Sequence, residues 1–311
     1  MQSLDTPGMK KKECRLQLLA SLLRLKNEQP FNTTNMMKTV VRKSLLAGLL
    51  LSMGGALFAQ QYTTRQDRVE PFVAIKVSGN PKVIYSQDSK MAVEVYGNPD
   101  LVNILETKVD KGVLLVRFTK KNVRITDKDK LEVRVSAPLL KEVSLTGSGD
   151  VIFRTPFRSN QDLTLSLVGS GDVKTELLSC ANLRLKLGGS GDVEIDKAAC
   201  GKLAATLSGS GDLQVESADV QTVEATLVGS GDLKIGRGKA QWASYRVTGS
   251  GDLEAEDLVA SKVDAQVTGS GSIECSVTDE LNAQVTGSGG IGYRGNPSVL
   301  NTSRRGVKRV H

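Results

Sequence analysis

The sequence predicts an all-β fold: a single-stranded parallel β-helix, or β-solenoid, with about 20 residues per coil and irregular N-terminal coils. A Gly-Ser-Gly-Asp tetrapeptide recurs with its first glycine at Gly147, Gly169, Gly189, Gly209, Gly229, Gly249, Gly269 and Gly287, at spacings of 22, five times 20, then 18. Between copies, apolar and polar residues alternate, as in Leu183-Arg184-Leu185-Lys186-Leu187 and Val263-Asp264-Ala265-Gln266-Val267. That period of two belongs to a strand with one buried face. One such repeat cannot bury its apolar side alone, but coils hydrogen-bonded at about 4.8 Å share a continuous core. The alternation excludes an α-solenoid, and a propeller blade needs about 40 residues.

The chain opens with material to set aside. Lys38, Arg42 and Lys43 precede an apolar run from Leu45 to Phe58 that ends at Ala59-Gln60, so residues 36–59 read as a secretory signal peptide. Residues 1–35 precede a fresh Met36-Met37-Lys38 and read as an upstream extension that is not native to the product, with a natural amphipathic leader at Leu16 to Leu25 as the alternative. The apolar run is too short to span a bilayer comfortably, and no transmembrane segment is expected in the mature chain.

Residues 60–142 carry period-two strands at 72–77, 82–85, 91–96, 113–118 and 131–135 without the glycine corner. They read as irregular coils that cap the core, with a separate β-sandwich as the alternative. Val77-Ser78-Gly79-Asn80-Pro81 resembles a decayed copy of the corner.

Residues 143–292 are the regular solenoid. The alternation runs through each tetrapeptide, so both glycines take inward positions while the Ser and the Asp face out. The structural turns are therefore Gly147, Gly149, Gly169, Gly171, Gly189, Gly191, Gly209, Gly211, Gly229, Gly231, Gly249, Gly251, Gly269, Gly271, Gly287 and Gly289. A bend closing tightly on the core would leave no room there for a Cβ. A second, looser corner is expected about midway round each coil, where the length changes fall. Residues 293–311 form a basic tail, frayed or cap-like.

Charge excludes one function class. The leader carries nine basic and three acidic residues, which is most of the net +7; residues 143–290 carry twelve and twenty. The high isoelectric point is thus no sign of nucleic-acid binding.

The stretch from Pro138 to Asp150, Pro-Leu-Leu-Lys-Glu-Val-Ser-Leu-Thr-Gly-Ser-Gly-Asp, resembles the core of the auto-transporter adhesin, head GIN domain family of Bacteroidetes. The strand from Phe72 to Gly79 and Gly112-Val113-Leu114-Leu115-Val116 are similar to its N-terminal half. The resemblance spans about 69–296. It implies an exported β-helical domain at or outside the inner membrane, with an adhesin-like role. The sequence departs from the pattern at Ser272 and Gly290, which replace the Asp, and in its basic tail.

Candidate chemistry is sparse. Asp150, Asp172, Asp192, Asp212, Asp232 and Asp252 should stack along one outer edge. The preferred reading is turn-forming, each carboxylate accepting local hydrogen bonds; the alternative is a calcium ladder. Cys180 and Cys200 lie one period apart, within disulfide reach if the compartment is oxidising, or else as buried small residues. Cys275 reads as core. The single histidine, His311, leaves no serine-type triad and few zinc sites. No cofactor is expected. Trp242 is the one clear aromatic for sugar contact, or else a cover for the core edge. The function that follows is an exported, non-enzymatic interaction module in the periplasm, on the outer-membrane surface or secreted. Its partner would be an envelope protein or glycan, and self-association is compatible. The alternatives are a polysaccharide-binding or polysaccharide-processing β-helix and a calcium-stabilised structural element.

Overall fold

A computed structural model describes residues 62–303 and 305–310, apart from 121, 122, 127 and 128; the expected leader and upstream extension lie outside the described residues. The chain is a stack of parallel coils, as the period requires. Seven successive passes, β8 (Glu142–Gly147), β11 (Leu163–Gly169), β13 (Asn182–Gly189), β14 (Val193–Gly209), β15 (Leu213–Gly229), β16 (Asp232–Gly249) and β17 (Asp252–Gly269), pair in parallel and in register. The corner glycines are partners: Gly147 with Gly169, Gly169 with Gly189, and so on to Gly269 with Gly287 in β18 (Ser272–Gly287). Val193, Ile195, Leu203, Ala205 and Leu207 point inward and are at most 3% exposed. One core runs from Phe72 to Tyr293.

In the first coils the return strands β10 (Phe157–Arg158) and β12 (Val173–Ser179) pair in parallel; beyond them the looser corner differs from expectation. In β14 to β17 the ladder continues round it, so each of these coils is nearly all strand. The two-residue deletion of the last regular coil is absorbed there, as register shifts between Ala255 and Val259 and between Ala260 and Lys262.

The glycine corner is real, but its cause differs from the one expected. A Cβ on Gly209 would lie 2.1 Å from the carbonyl oxygen of Gly189, and one on Gly211 would lie 2.0 Å from that of Gly191. The obstacle is the backbone of the preceding coil, not the core. The first glycine of each tetrapeptide also has φ between +116° and +144°, where an L side chain is strained. The reward is a tight hydrogen-bonded step. The Gly189 carbonyl accepts from both Ser210 N–H at 2.9 Å and Gly211 N–H at 3.1 Å.

At the N-terminal end the order in space departs from the order in sequence. The pass formed by β2 (Ala74–Gly79) and β3 (Lys82–Gln87) lies directly against β8 and β9 (Val151–Phe153), with Gly79 paired to Gly147. Between them in sequence the chain makes an excursion: β4 (Ala92–Gly97), α1 (Pro99–Ile104), β5 (Leu105–Asp110), β6 (Val113–Phe118) and β7 (Leu131–Ala137). β6 and β7 add a parallel pass on the far side of β2 and β3. β5 then covers β6, and β4 covers β7, both antiparallel, with β1 (Thr63–Asp67) outside β4. Reversing direction there ends the parallel ladder. α1 starts where Asn98 accepts from the Asp100 N–H at 3.0 Å, with Pro99 in its first turn.

At the other end β19 (Gly290–Arg294) and β20 (Val299–Thr302) form a last coil on β18, and β21 (Val307–Arg309) pairs in parallel onto β19. The basic tail is therefore partly strand, beyond where alternation is visible.

Candidate functional site

The structure brings the six aspartates together in one row. Five of the six carboxylates are turned along the stack onto the backbone of the next coil. Asp150 Oδ1 accepts from Asp172 N–H at 3.3 Å, Asp172 from Asp192 at 3.3 Å, Asp192 from Asp212 at 3.2 Å, and Asp212 from Asp232 at 3.3 Å. Asp252 takes both the N–H and the hydroxyl of Ser272, at 2.9 and 2.8 Å. These bonds tie each coil to the next and do not close the turn within a coil. Among the described residues no group of three or more His, Cys, Asp or Glu side chains is arranged to hold a metal ion. Burial, together with the charges of Asp150 and Asp192, pushes the Asp172 carboxyl above its ordinary range.

Cys180 and Cys200 sit side by side on consecutive coils, with Ser179 in register with Ala199. The structure carries them as free thiols, Cys180 buried and Cys200 partly open. The neighbouring Cys200, with burial, pushes the Cys180 thiol up, while Cys180 holds the Cys200 thiol down; Cys200 Sγ donates to the Lys202 carbonyl at 3.3 Å. Cys275 is fully buried, which pushes its thiol up to about 12.

The broadest feature is the outer face of the strands that lead into each glycine corner. Register lines its side chains into straight rows along the stack. One row reads Thr164, Arg184, Ala204, Glu224, Ser244, Asp264, Asn282 and Asn301. The next reads Ser166, Lys186, Thr206, Thr226, Arg246, Gln266 and Gln284. Lys202 and Glu224, and Lys262 and Glu280, join neighbouring coils at 2.6 and 3.0 Å. Such exposed pairs fix side-chain positions more than they stabilise.

A groove indents this face near its C-terminal end, where Ser244 stands between the longer Glu224 and Asp264. It is lined by Ser244, Arg246, Asp264, Gln266, Asn282 and Gln284. Trp242, expected as the sugar-contact candidate, stands beside it on the same strand. Its indole N–H donates to Asp264 Oδ2 at 2.9 Å, while the Asn282 amide donates to Asp264 Oδ1 at 2.8 Å. Asn301 continues the chain onto Asn282 at 2.8 Å. Ser244 is only 8% exposed. The groove residues other than Trp242 were not evident from sequence. The available signal was a short residue between Glu224 and Asp264, two positions after the only tryptophan.

No curated protein matches the sequence. Solved structures do. A "putative adhesin" from Parabacteroides merdae ATCC 43184 is 25% identical with a TM-score of 0.62, over 81% of this chain and 98% of that one. A "putative adhesin" from Parabacteroides distasonis ATCC 8503 is 26% identical with a TM-score of 0.62, over the same shares. A "putative lipid binding protein" from the same strain is 25% identical with a TM-score of 0.58, again over 81% and 98%. The family described as "Putative auto-transporter adhesin, head GIN domain" matches residues 71–235 and 183–297. With the stacked coils and the glycine corners on which that match falls, the chain belongs to the auto-transporter adhesin, head GIN domain family.

Proposed function

We propose that this chain is exported to the cell envelope and serves there as a non-enzymatic, adhesin-like interaction module whose contact area is the broad outer face of the coils. The observation that carries the reading is the set of straight polar rows on that face, repeated once per coil. Rows of this kind on a fully hydrogen-bonded backbone are pre-ordered, so a partner meets them at small entropic cost. The leader pattern over 36–59 and the family's adhesin description support export. Among the described residues no helix is long and apolar enough to cross a membrane.

Fractionation of cells producing the full chain tests this reading. The protein is expected in the periplasmic, outer-membrane or secreted fraction, with a mature N-terminus near Gln60. Cytoplasmic protein that retains residues 36–59 would contradict it.

A further inference from the structure

We propose that the groove beside Trp242 is a saccharide site, taking an uncharged sugar unit of a glycan that lies along the coil stack. This deepens the interaction-module reading and rests on it.

The floor is the first argument. Ser244 is 92% buried by its 8% exposure, yet among the described residues its hydroxyl has no protein partner. A serine with so little exposed surface, whose hydroxyl opens into a groove without a protein partner, is a place for a ligand polar atom.

The walls are the second. Asp264 is held in place from both sides, by the Trp242 indole and the Asn282 amide, so its remaining acceptor capacity is aimed without further ordering cost. Arg246, Gln266 and Gln284 line the same groove and, among the described residues, make no side-chain bond to protein. Together these groups offer donors and acceptors in close alternation. Sugar hydroxyls both donate and accept, and they match such a lining; a few placed polar groups of this kind fix a ligand's orientation.

Charge and shape narrow the class. Arg246 and Asp264 both line the groove with opposite charges, so it favours neither a strong anion nor a strong cation. An extended peptide would need an open strand edge, but β16 and β17 are paired on both sides. A lipid tail or protein hot spot would need an apolar centre, whereas six of the eight groove-lining residues are polar or charged and the other two, Tyr245 and Ala265, belong to an inward row. A flat aromatic beside dense polar groups suits the C–H face of a sugar ring.

The test uses the mature full-length protein and calorimetric titration with cellotetraose, mannotetraose and chitotetraose. At least one is expected to bind saturably, with Kd of roughly millimolar or tighter. Ser244→Leu, which fills the floor, and Gln266→Ala, an exposed change that leaves the core untouched, should each weaken that binding, the former at least tenfold. Their melting temperatures should stay at the wild-type value. Binding of no tetraose, or equal binding by Ser244→Leu, would overturn the proposal. Capture of wild-type protein on isolated cell envelopes separates the readings. Capture without tetraose binding removes the groove assignment alone; absence of both removes the interaction-module reading with it.

Discussion

Gly209 has space for a hydrogen and nothing larger, because the Gly189 carbonyl would stand 2.1 Å from a Cβ. Gly209→Ala is therefore expected to cost at least about 2 kcal/mol, from strain at φ +144° and from pushing two coils apart. Gly188→Ala is the control: its Cβ would meet nothing closer than 3.9 Å, and the change should be close to neutral. Chemical denaturation of the two variants distinguishes this account from one in which glycine-rich sequence merely loosens the chain. Asp172 makes a second prediction at this scale. Its carboxyl is raised by burial and by the flanking Asp150 and Asp192, so folding favours the protonated form. Stability from this group is present below the unfolded carboxylate pKa and lost as pH rises through the folded one. Asp172→Asn should thus stabilise the protein at neutral pH, by no more than about 1 kcal/mol given solvent screening. The gain should vanish in acid, and melting curves against pH read it directly. An unchanged offset across the range would show that repulsion in the row is immaterial.

Elements are joined by a few buried groups that the repeat does not supply. Tyr85 in β3 is fully buried, donates its hydroxyl to the Ala137 carbonyl at the end of β7 at 2.8 Å, and packs against Phe153 and Phe157. It ties the excursion to the regular coils. Tyr85→Phe removes one of that carbonyl's two donors, the other being the Asp88 N–H at 3.2 Å, and should cost about 1 kcal/mol. Tyr245 is the counter-case. It stands between Ala225 and Ala265 in an inward row, and its buried hydroxyl has no hydrogen-bond partner among the described residues. Tyr245→Phe should be neutral or stabilising, and the pair of urea midpoints checks both signs together. Neither role was legible in the sequence: parity places both rings inward but says nothing of what their hydroxyls meet. The excursion was hidden for a related reason. The partner of β2 is β8, more than sixty residues downstream, and no local pattern records a pairing that skips an intervening pass. Gly79 alone gave a sign of it, as the degraded corner that stacks on Gly147.

Over the whole molecule, the period and the alternation were enough to specify the coil, its inward residues and its corner, because stacking identical units reduces the fold to one repeated decision. The groove was not legible in this way. It arises where the repeat lapses, at Ser244 among longer neighbours and at Trp242 between Thr222 and Lys262. Regular positions build the face, and irregular ones give it something to recognise. Both depend on every coil being in register with the next. The direct test is a distance measured by pulsed electron resonance between spin labels at Ser170→Cys and Ser270→Cys, in a chain whose native cysteines are replaced. These exposed corner positions lie five coils apart, so a single narrow distribution centred at about 24 Å is expected. A broad distribution, or one centred well beyond about 35 Å, would contradict the stacked register.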